Sequence, residues 1–286
     1  MFEDFLQAHS VFQDHGTENP LLDTVRLFDL LSNGALRKVD LSLLRQEKMD
    51  LLHLAQKRKE GMPMEYGIGM ATFMGLMFYC SPDTLIPREE TELLVEVALD
   101  LIKKKREFEN DLTIIDMGTG CGNIAVSLAM HSDNTKILAS DISASAIEIA
   151  QKNVNKFNLQ ERVSLFCGDL FSPFHGLGYE EKIDLVVCNP PYIPTASLSK
   201  LSPEIIDHEP KVALDAGAFG IDIYRQLIND SLSILRPKGI LVFEIGVGQE
   251  KLVTRLIERK NSYENIRYFD DGTHIRVVSA EKKPEA

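Results

Sequence analysis

The chain has 286 residues, 44% of them apolar and 26% charged, with a net charge of -12. These values exclude collagen-like, coiled-coil and largely disordered chains, and the length accommodates one large domain or two modest ones. Apolar runs such as Leu185-Val186-Val187-Cys188 fall far short of the ~18–20 residues that span a bilayer, the acidic start Met1-Phe2-Glu3-Asp4 does not read as a secretory signal, and the acidic balance disfavours a membrane or a stable nucleic-acid partner.

Residues 20–60 read as mostly helical, with a break near Asn33-Gly34. Asp40 is the expected N-cap of a helix from Leu41 to Lys59, whose apolar face carries Leu41, Leu44, Leu51, Leu52 and Ala55. Gly61 and Pro63 are its stop signals. The basic clusters Lys57-Arg58-Lys59 and Lys103-Lys104-Lys105-Arg106 sit at helix C-terminal ends, where cations complement the helix dipole. From Met64 to Ser81, glycines 67, 69 and 75 punctuate aromatic residues and imply a hairpin or linker. The boundary falls between residues 84 and 85. Residues 1–84 form a helical domain with no catalytic constellation, suited to recognising a partner, and residues 85–286 form a second domain.

The second domain opens with a helix that places Leu93, Leu94, Val97, Ala98 and Leu101 on one face. After residue 110, strands and helices alternate. Strands are expected at 113–115, 136–139, 163–166, 183–188, 240–243 and 275–278, and helices at 124–130, 144–157, 224–235 and 253–257. This order implies an α/β fold with a doubly wound, mostly parallel sheet. In such sheets a ligand lies at the carboxyl ends of the strands.

The first strand of this series runs into Asp116-Met117-Gly118-Thr119-Gly120-Cys121-Gly122. Gly118, Gly120 and Gly122, with Thr119 between them, allow a tight turn close to a ligand, and the following helix offers free N–H groups. The G-x-G-x-G spacing differs from the G-x-G-x-x-G of dinucleotide sites. Asp116 precedes the loop, where it suits a cationic ammonium. Asp141 ends the second strand, where it suits both hydroxyls of a ribose. Asp169 follows the third strand, beside Leu170, where it suits an adenine edge. Together they fit a nucleoside joined to an amino acid, and S-adenosylmethionine has those parts.

The fourth strand ends in Asn189-Pro190-Pro191-Tyr192. Prolines stiffen this turn and remove N–H donors. What remains are acceptors, the side-chain oxygen of Asn189 and the carbonyl of Pro190. Two acceptors grip the two hydrogens of a planar –NH2 group, and Tyr192 packs on a planar substrate group or near a sulfonium. The four cysteines show no C-x-x-C spacing and the histidines no H-x-x-x-H, so no metal site is expected. Free thiols point to a reducing compartment, the cytoplasm.

These residues resemble the amino-methyltransferases that carry an Asn-Pro-Pro-Tyr motif. Within that group the segment Leu85-Ile86-Pro87-Arg88-Glu89-Glu90-Thr91-Glu92 is similar to one found in release factor glutamine methyltransferases, the HemK/PrmC family. So are Glu209-Pro210, Ala213-Leu214, Gly217, Gly220 and Tyr224-Arg225, the run Phe243-Glu244-Ile245-Gly246 with Gln249, Asp271-Gly272, and Arg276-Val277-Val278. Gly61, Pro63, Tyr66, Gly69, Phe73, Gly75 and Phe78 resemble its linker. The resemblance implies methyl transfer from S-adenosylmethionine to the glutamine amide nitrogen in the Gly-Gly-Gln loop of peptide chain release factors. Asn189 and Pro190 would hold that amide, with Pro191 and Tyr192 beside it, and Gly118, Asp141 and Asp169 would belong to the cofactor pocket. Departures stand at Glu89, where the family usually has proline, and at Gly67 and Thr72, where the linker usually has isoleucine and an acid. They lie outside the amide grip and bear on the protein partner. An N-methyltransferase acting on another protein glutamine, a nucleobase or a small-molecule amine is the alternative. A nicotinamide-dependent oxidoreductase is disfavoured by the glycine spacing, and an inactive docking module by the intact tetrapeptide.

Overall fold

The computed structural model describes residues 2–32, 51–106 and 111–284. By compactness the chain falls into two units, Met1–Pro87 with Lys200–Pro210, and Arg88–Ser199 with Lys211–Ala286.

The first unit holds α1 (Phe2–Asp14), α2 (Pro20–Ser32), α3 (Leu51–Lys59) and the short α4 (Met64–Ile68), then a hairpin of β1 (Met70–Phe73) and β2 (Leu76–Tyr79). The expected break at Asn33-Gly34, the Asp40 cap, and Leu41 and Leu44 lie outside the described residues. On α3, Leu54 and Ala55 are buried while Leu52 is exposed. The buried stripe follows 51, 54, 55 and 58, the true i, i+3, i+4, i+7 spacing, and Leu52 falls off it. Gly61 ends the helix at φ 85°, where its N–H donates to the Arg58 carbonyl and the Met62 N–H to that of Lys57. The stretch 64–81 is partly a helix, which the glycine pattern concealed. Its hairpin turns at Met74-Gly75, both at positive φ, as a two-residue turn between twisted strands requires. Ala8, Phe12, Leu27, Phe28, Leu54 and Met64 pack as one core. Arg58 clamps this unit: its Nε lies 3.0 Å from buried Asp23 of α2, and its Nη1 lies 2.7 Å from Glu204 on a short helix, Pro203–His208.

The second unit begins with α5 (Glu92–Arg106), which buries Leu94, Val95, Val97, Ala98, Leu101 and Ile102 and leaves Leu93 only partly covered. There follow β3 (Leu112–Met117), α6 (Asn123–His131), β4 (Thr135–Asp141), α7 (Ala144–Lys156), β5 (Val163–Cys167), β6 (Ile183–Cys188), α8 (Asp222–Ile234), β7 (Leu235–Glu244), α9 (Glu250–Lys260), β8 (Tyr263–Asp270) and β9 (Ile275–Lys282). The seven strands run in the order β5-β4-β3-β6-β7-β9-β8. Strands β3 to β7 are parallel, and β9 is antiparallel to both β7 and β8. Every residue of β6 is buried, as a central parallel strand covered on both faces requires. Strand β8 escaped the sequence reading because it lies at the sheet edge and interleaves Glu264, Arg267 and Asp270 with its apolar positions. Leu235 begins β7 rather than ending α8. Among the described residues, no helix is long and apolar enough to cross a membrane, and no group of three or more His, Cys, Asp or Glu is placed to hold a metal ion.

Candidate functional site

The sheet order fixes where a ligand belongs. The chain passes from β3 outward through β4 to β5, then returns to the other side of β3 as β6. The crevice at that reversal, at the carboxyl ends of the strands, is the usual ligand position in open α/β sheets. Asp116 and Asp141 lie at the ends of β3 and β4, and Asp169 and Asn189 just beyond the ends of β5 and β6, four adjacent parallel strands.

Asp116, near the end of β3, is fully buried. Its Oδ2 accepts hydrogen bonds from the Thr119 hydroxyl at 2.6 Å and from the Ala125 N–H at 3.0 Å, so it ties the glycine loop to the start of α6. Its Oδ1 is buried without a hydrogen-bond partner. Burial raises its pKa to about 7, against the pull of the Thr119 and Ala125 bonds. The three loop glycines all have positive φ. A Cβ at Gly118 or Gly120 would meet nothing within 4 Å, while at Gly122 it would crowd Ala150 of α7 at 3.3 Å. The third glycine therefore serves helix packing, and the first two face open space beside the strand ends.

Asp141, the last residue of β4, accepts from the Gly120 N–H and the Ser143 N–H, each at 2.9 Å. Each carboxylate oxygen thus keeps a second lone-pair site. Burial raises its pKa, opposed by those backbone bonds. The Gly168 N–H donates to the Asp141 carbonyl at 2.9 Å, which places the turn carrying Asp169 and Leu170 beside Asp141. Asp169 is exposed, and Leu170 is half-buried at φ 44°.

Asn189 follows β6 directly. Its Nδ2 donates to the Thr91 hydroxyl at 2.9 Å, and Thr91 donates onward to Glu244 Oε2 at 2.7 Å. The amide is therefore held by its nitrogen, which leaves Oδ1 as its acceptor. Tyr192 is anchored at three points. Its carbonyl accepts from Gln249 Nε2 at 3.0 Å, its hydroxyl accepts from Arg276 Nη2 at 3.3 Å, and the Arg276 guanidinium lies 5.8 Å from the ring centre. Arg276 also pairs with Glu244 Oε1 at 3.1 Å. After Tyr192 the chain pairs with residues 214–217: the Ile193 N–H bonds the Leu214 carbonyl and the Thr195 N–H that of Gly217. Gly220 passes so close that a Cβ there would sit 2.8 Å from the Tyr192 carbonyl oxygen.

Thr91, Glu244, Arg276 and Gln249 were read in the sequence as points of resemblance without roles. One signal was available. Glu244 terminates an apolar strand, and a buried carboxylate at such a place must find donors. Burial raises the Glu244 pKa, while Thr91 and Arg276 pull it down.

The crevice fits a nucleoside that carries an ammonium group. An unpartnered buried carboxylate oxygen lies under the glycine loop, a second carboxylate has acceptor capacity to spare, and the loop presents two glycines without side chains.

The methyltransferase small domain family matches residues 91–227. The release factor glutamine methyltransferase of Bacillus cereus is 35% identical over 98% of this chain and 99% of its own length. That of Moorella thermoacetica is 41% identical over 75% and 73%, and that of Geobacter sulfurreducens 36% over 93% and 90%. Among solved structures, the hMettl16 catalytic domain bound to MAT2A 3'UTR hairpin 1 superposes with a TM-score of 0.58 at 16% identity, covering 98% of this chain and 90% of that one, and a methyltransferase from Pyrococcus furiosus with a TM-score of 0.50 at 18% identity, covering 74% and 91%. Those two likenesses concern the fold, whereas the Bacillus cereus and Geobacter sulfurreducens relatives match along nearly the whole sequence, and by that match this chain belongs to the release factor glutamine methyltransferase family.

Proposed function

We propose that this chain transfers a methyl group from S-adenosylmethionine to the side-chain amide nitrogen of the glutamine in the Gly-Gly-Gln loop of peptide chain release factors. The observation that carries this reading is the orientation of Asn189. With Nδ2 bonded to Thr91, its Oδ1 is the acceptor for one hydrogen of a substrate –NH2, and the Pro190 carbonyl serves the other. The two prolines keep competing N–H donors out of this turn. When bound, S-adenosylmethionine supplies a methyl group made electrophilic by its sulfonium. Asp141 would hold its ribose, Asp116 its ammonium, Gly118, Thr119 and Gly120 its backbone face, and Asp169 with Leu170 its adenine.

An amide nitrogen is a weak nucleophile, so holding its plane and lone pair in line does much of the catalysis. No lone general base is required: two acceptors orient the nitrogen and share the charge that grows on its hydrogens, and one of those protons passes to water once the N–C bond has formed. The helical part, residues 1–84, recognises the protein substrate; its Arg58 is spent on packing, paired with Asp23 of the same part and with Glu204. None of the four cysteines is in a disulfide, which suits work in the cytoplasm.

The test is incubation of the full chain with methyl-labelled S-adenosylmethionine and unmodified release factor, followed by mass spectrometry of the Gly-Gly-Gln peptide. A single added methyl on the glutamine is expected, and none when that glutamine is replaced by alanine. Label on another protein, a nucleobase or a small amine, with the release factor unmodified, would refute the substrate.

A further inference from the structure

We propose that Glu244 and Thr91 are positioning residues for methyl transfer: they form a one-way hydrogen-bond relay that decides which face of the Asn189 amide meets the substrate. This inference rests on the reading of Asn189 as the acceptor of the substrate amide.

An asparagine amide is nearly symmetric in shape but opposite in polarity across its two ends. Turned by 180° about its last bond, Asn189 would present an –NH2 where the substrate needs an oxygen. Something must forbid that state. Thr91 touches Asn189, but a hydroxyl donates or accepts and alone has no preference. Its preference comes from Glu244. Ion-paired with Arg276 at 3.1 Å, Glu244 stands as a carboxylate with no proton to give, so the hydrogen of Thr91 is committed to Oε2 at 2.7 Å. Toward Asn189, Thr91 then offers only lone pairs, and only Nδ2 can face it, at 2.9 Å. Thr91 and Glu244 are both almost wholly buried, at 2% and 1% exposure, so water does not fill in for a lost partner. Arg276 sets the far end by donating to Oε1 at 3.1 Å and thereby demanding an acceptor there. The same Arg276 donates to the Tyr192 hydroxyl. One buried carboxylate thus reaches both ends of Asn189-Pro190-Pro191-Tyr192, through Thr91 on one side and Arg276 on the other.

The relay makes an unusual prediction for Glu244→Gln. Arg276 still requires an oxygen at the Oε1 position, so the new amide turns its –NH2 toward Thr91. Thr91 then accepts from residue 244 and donates to Asn189, whose Oδ1 turns to meet it. Every hydrogen bond survives with its direction reversed, and Asn189 shows the substrate a donor. A merely structural pair would tolerate this change. A relay does not.

The experiment compares wild type, Glu244→Gln, Thr91→Val and Thr91→Ser in the full chain. Steady-state methylation of unmodified release factor gives kcat and KM, calorimetry gives the affinity for S-adenosylmethionine, and thermal melting reports folding. Glu244→Gln keeps its hydrogen bonds but leaves the Arg276 charge without its counter-ion, so it should melt below wild type yet remain folded; it should bind S-adenosylmethionine as wild type does, with kcat lower by about tenfold or more, the effect of a hydrogen bond worth about 1.4 kcal/mol. Thr91→Val should also lose kcat rather than raise KM, and Thr91→Ser, which keeps the hydroxyl, should recover it. A folded Glu244→Gln protein with wild-type kcat would overturn the relay.

A second readout needs no substrate. In 15N-labelled protein, the Asn189 side-chain –NH2, assigned by its disappearance in Asn189→Asp, should exchange slowly in wild type and quickly in Glu244→Gln and Thr91→Val. Equal exchange in all three would overturn the relay even if the release factor proved not to be the substrate. Failure of wild type to methylate the release factor, with slow exchange intact, would instead count against the substrate reading alone.

Discussion

Replacing Asp141 by alanine tests the cofactor crevice most directly, because its carboxylate is already at work in the free protein. It accepts from Gly120 of the glycine loop and from Ser143 at the start of α7, each at 2.9 Å. Hydrogen bonds to a charged group contribute about 1.5–3 kcal/mol each. Loss of the ribose contact alone corresponds to a roughly tenfold to hundredfold weaker affinity for S-adenosylmethionine. Release of the Gly120 N–H loosens the loop that must close on the cofactor, so the effect should fall toward the upper end of that range. The free protein should lose about 1–3 kcal/mol, since water replaces part of what the partly exposed N–H groups lose. Asp141→Asn separates geometry from charge: its amide cannot accept at both ends, so one N–H faces an –NH2, and its affinity should resemble that of the alanine variant. Titration calorimetry gives the affinity and urea unfolding the stability. Burial raises the Asp141 pKa, so wild-type affinity should begin to fall at a pH above the ordinary carboxylate range as the pH is lowered. Unchanged affinity in a folded Asp141→Ala protein would refute the assignment.

Three further outcomes follow from the same geometry. Asp116 has a folded pKa of about 7 against an ordinary value of 3.8, so folding favours its neutral form. Its contribution is present at low pH and lost as pH rises toward neutrality, about 4 kcal/mol between about pH 4 and 8 at about 1.4 kcal/mol per pH unit. Melting of the free protein should fall across that window, and Asp116→Asn should flatten the slope; an identical slope in the variant would contradict the burial argument. Asn189→Ala should bind S-adenosylmethionine normally and turn over about 10²–10³ more slowly, as removal of one well-placed active-site hydrogen bond commonly does; wild-type turnover in a folded variant would reduce the tetrapeptide to a turn. Arg58→Ala should cost about 3–5 kcal/mol by stranding buried Asp23 and should leave cofactor affinity unchanged, read by melting and calorimetry.

Legibility in the sequence followed how local each signal is. The parallel strands were readable because a strand buried on both faces is a continuous apolar run, as 183–188 is. The cofactor loop was readable because its turn needs glycine at fixed spacing. Strand β8 was not, since an edge strand keeps charges on its open face and shows no such run. The short helix Met64–Ile68 was hidden by glycines that serve its end and the next turn rather than a loop. Among the site residues, Asp116, Asp141 and Asn189 announce themselves by standing at strand ends. Thr91 and Glu244 act only through partners far away in the chain, and pairing over that distance leaves no spacing to read. What the sequence does carry is a charge with no visible reason at the end of β7.

The neutrality of Asn189 has a physical reason that joins the relay to the reaction. As the substrate nitrogen becomes bonded to the methyl carbon, positive charge grows on that nitrogen and its N–H bonds polarise. In the proposed grip, acceptors at Asn189 Oδ1 and the Pro190 carbonyl would then hold it more tightly than they held the ground-state amide, which is the differential binding that raises kcat. A carboxylate at position 189 would accept as well, but it would also attract the sulfonium before any reaction, and that attraction weakens as the cation is spent. Binding the ground state more tightly than the transition state slows the chemical step. The charges this chain uses are accordingly kept one residue removed from the reacting pair. Asp141 stands at the end of β4, with β3 between it and the strand that leads to Asn189, and Glu244 is screened by Arg276 and reaches the amide only through a hydroxyl. On this proposal the relay would let the field of a full carboxylate fix the orientation of Asn189 while a neutral oxygen touches the substrate.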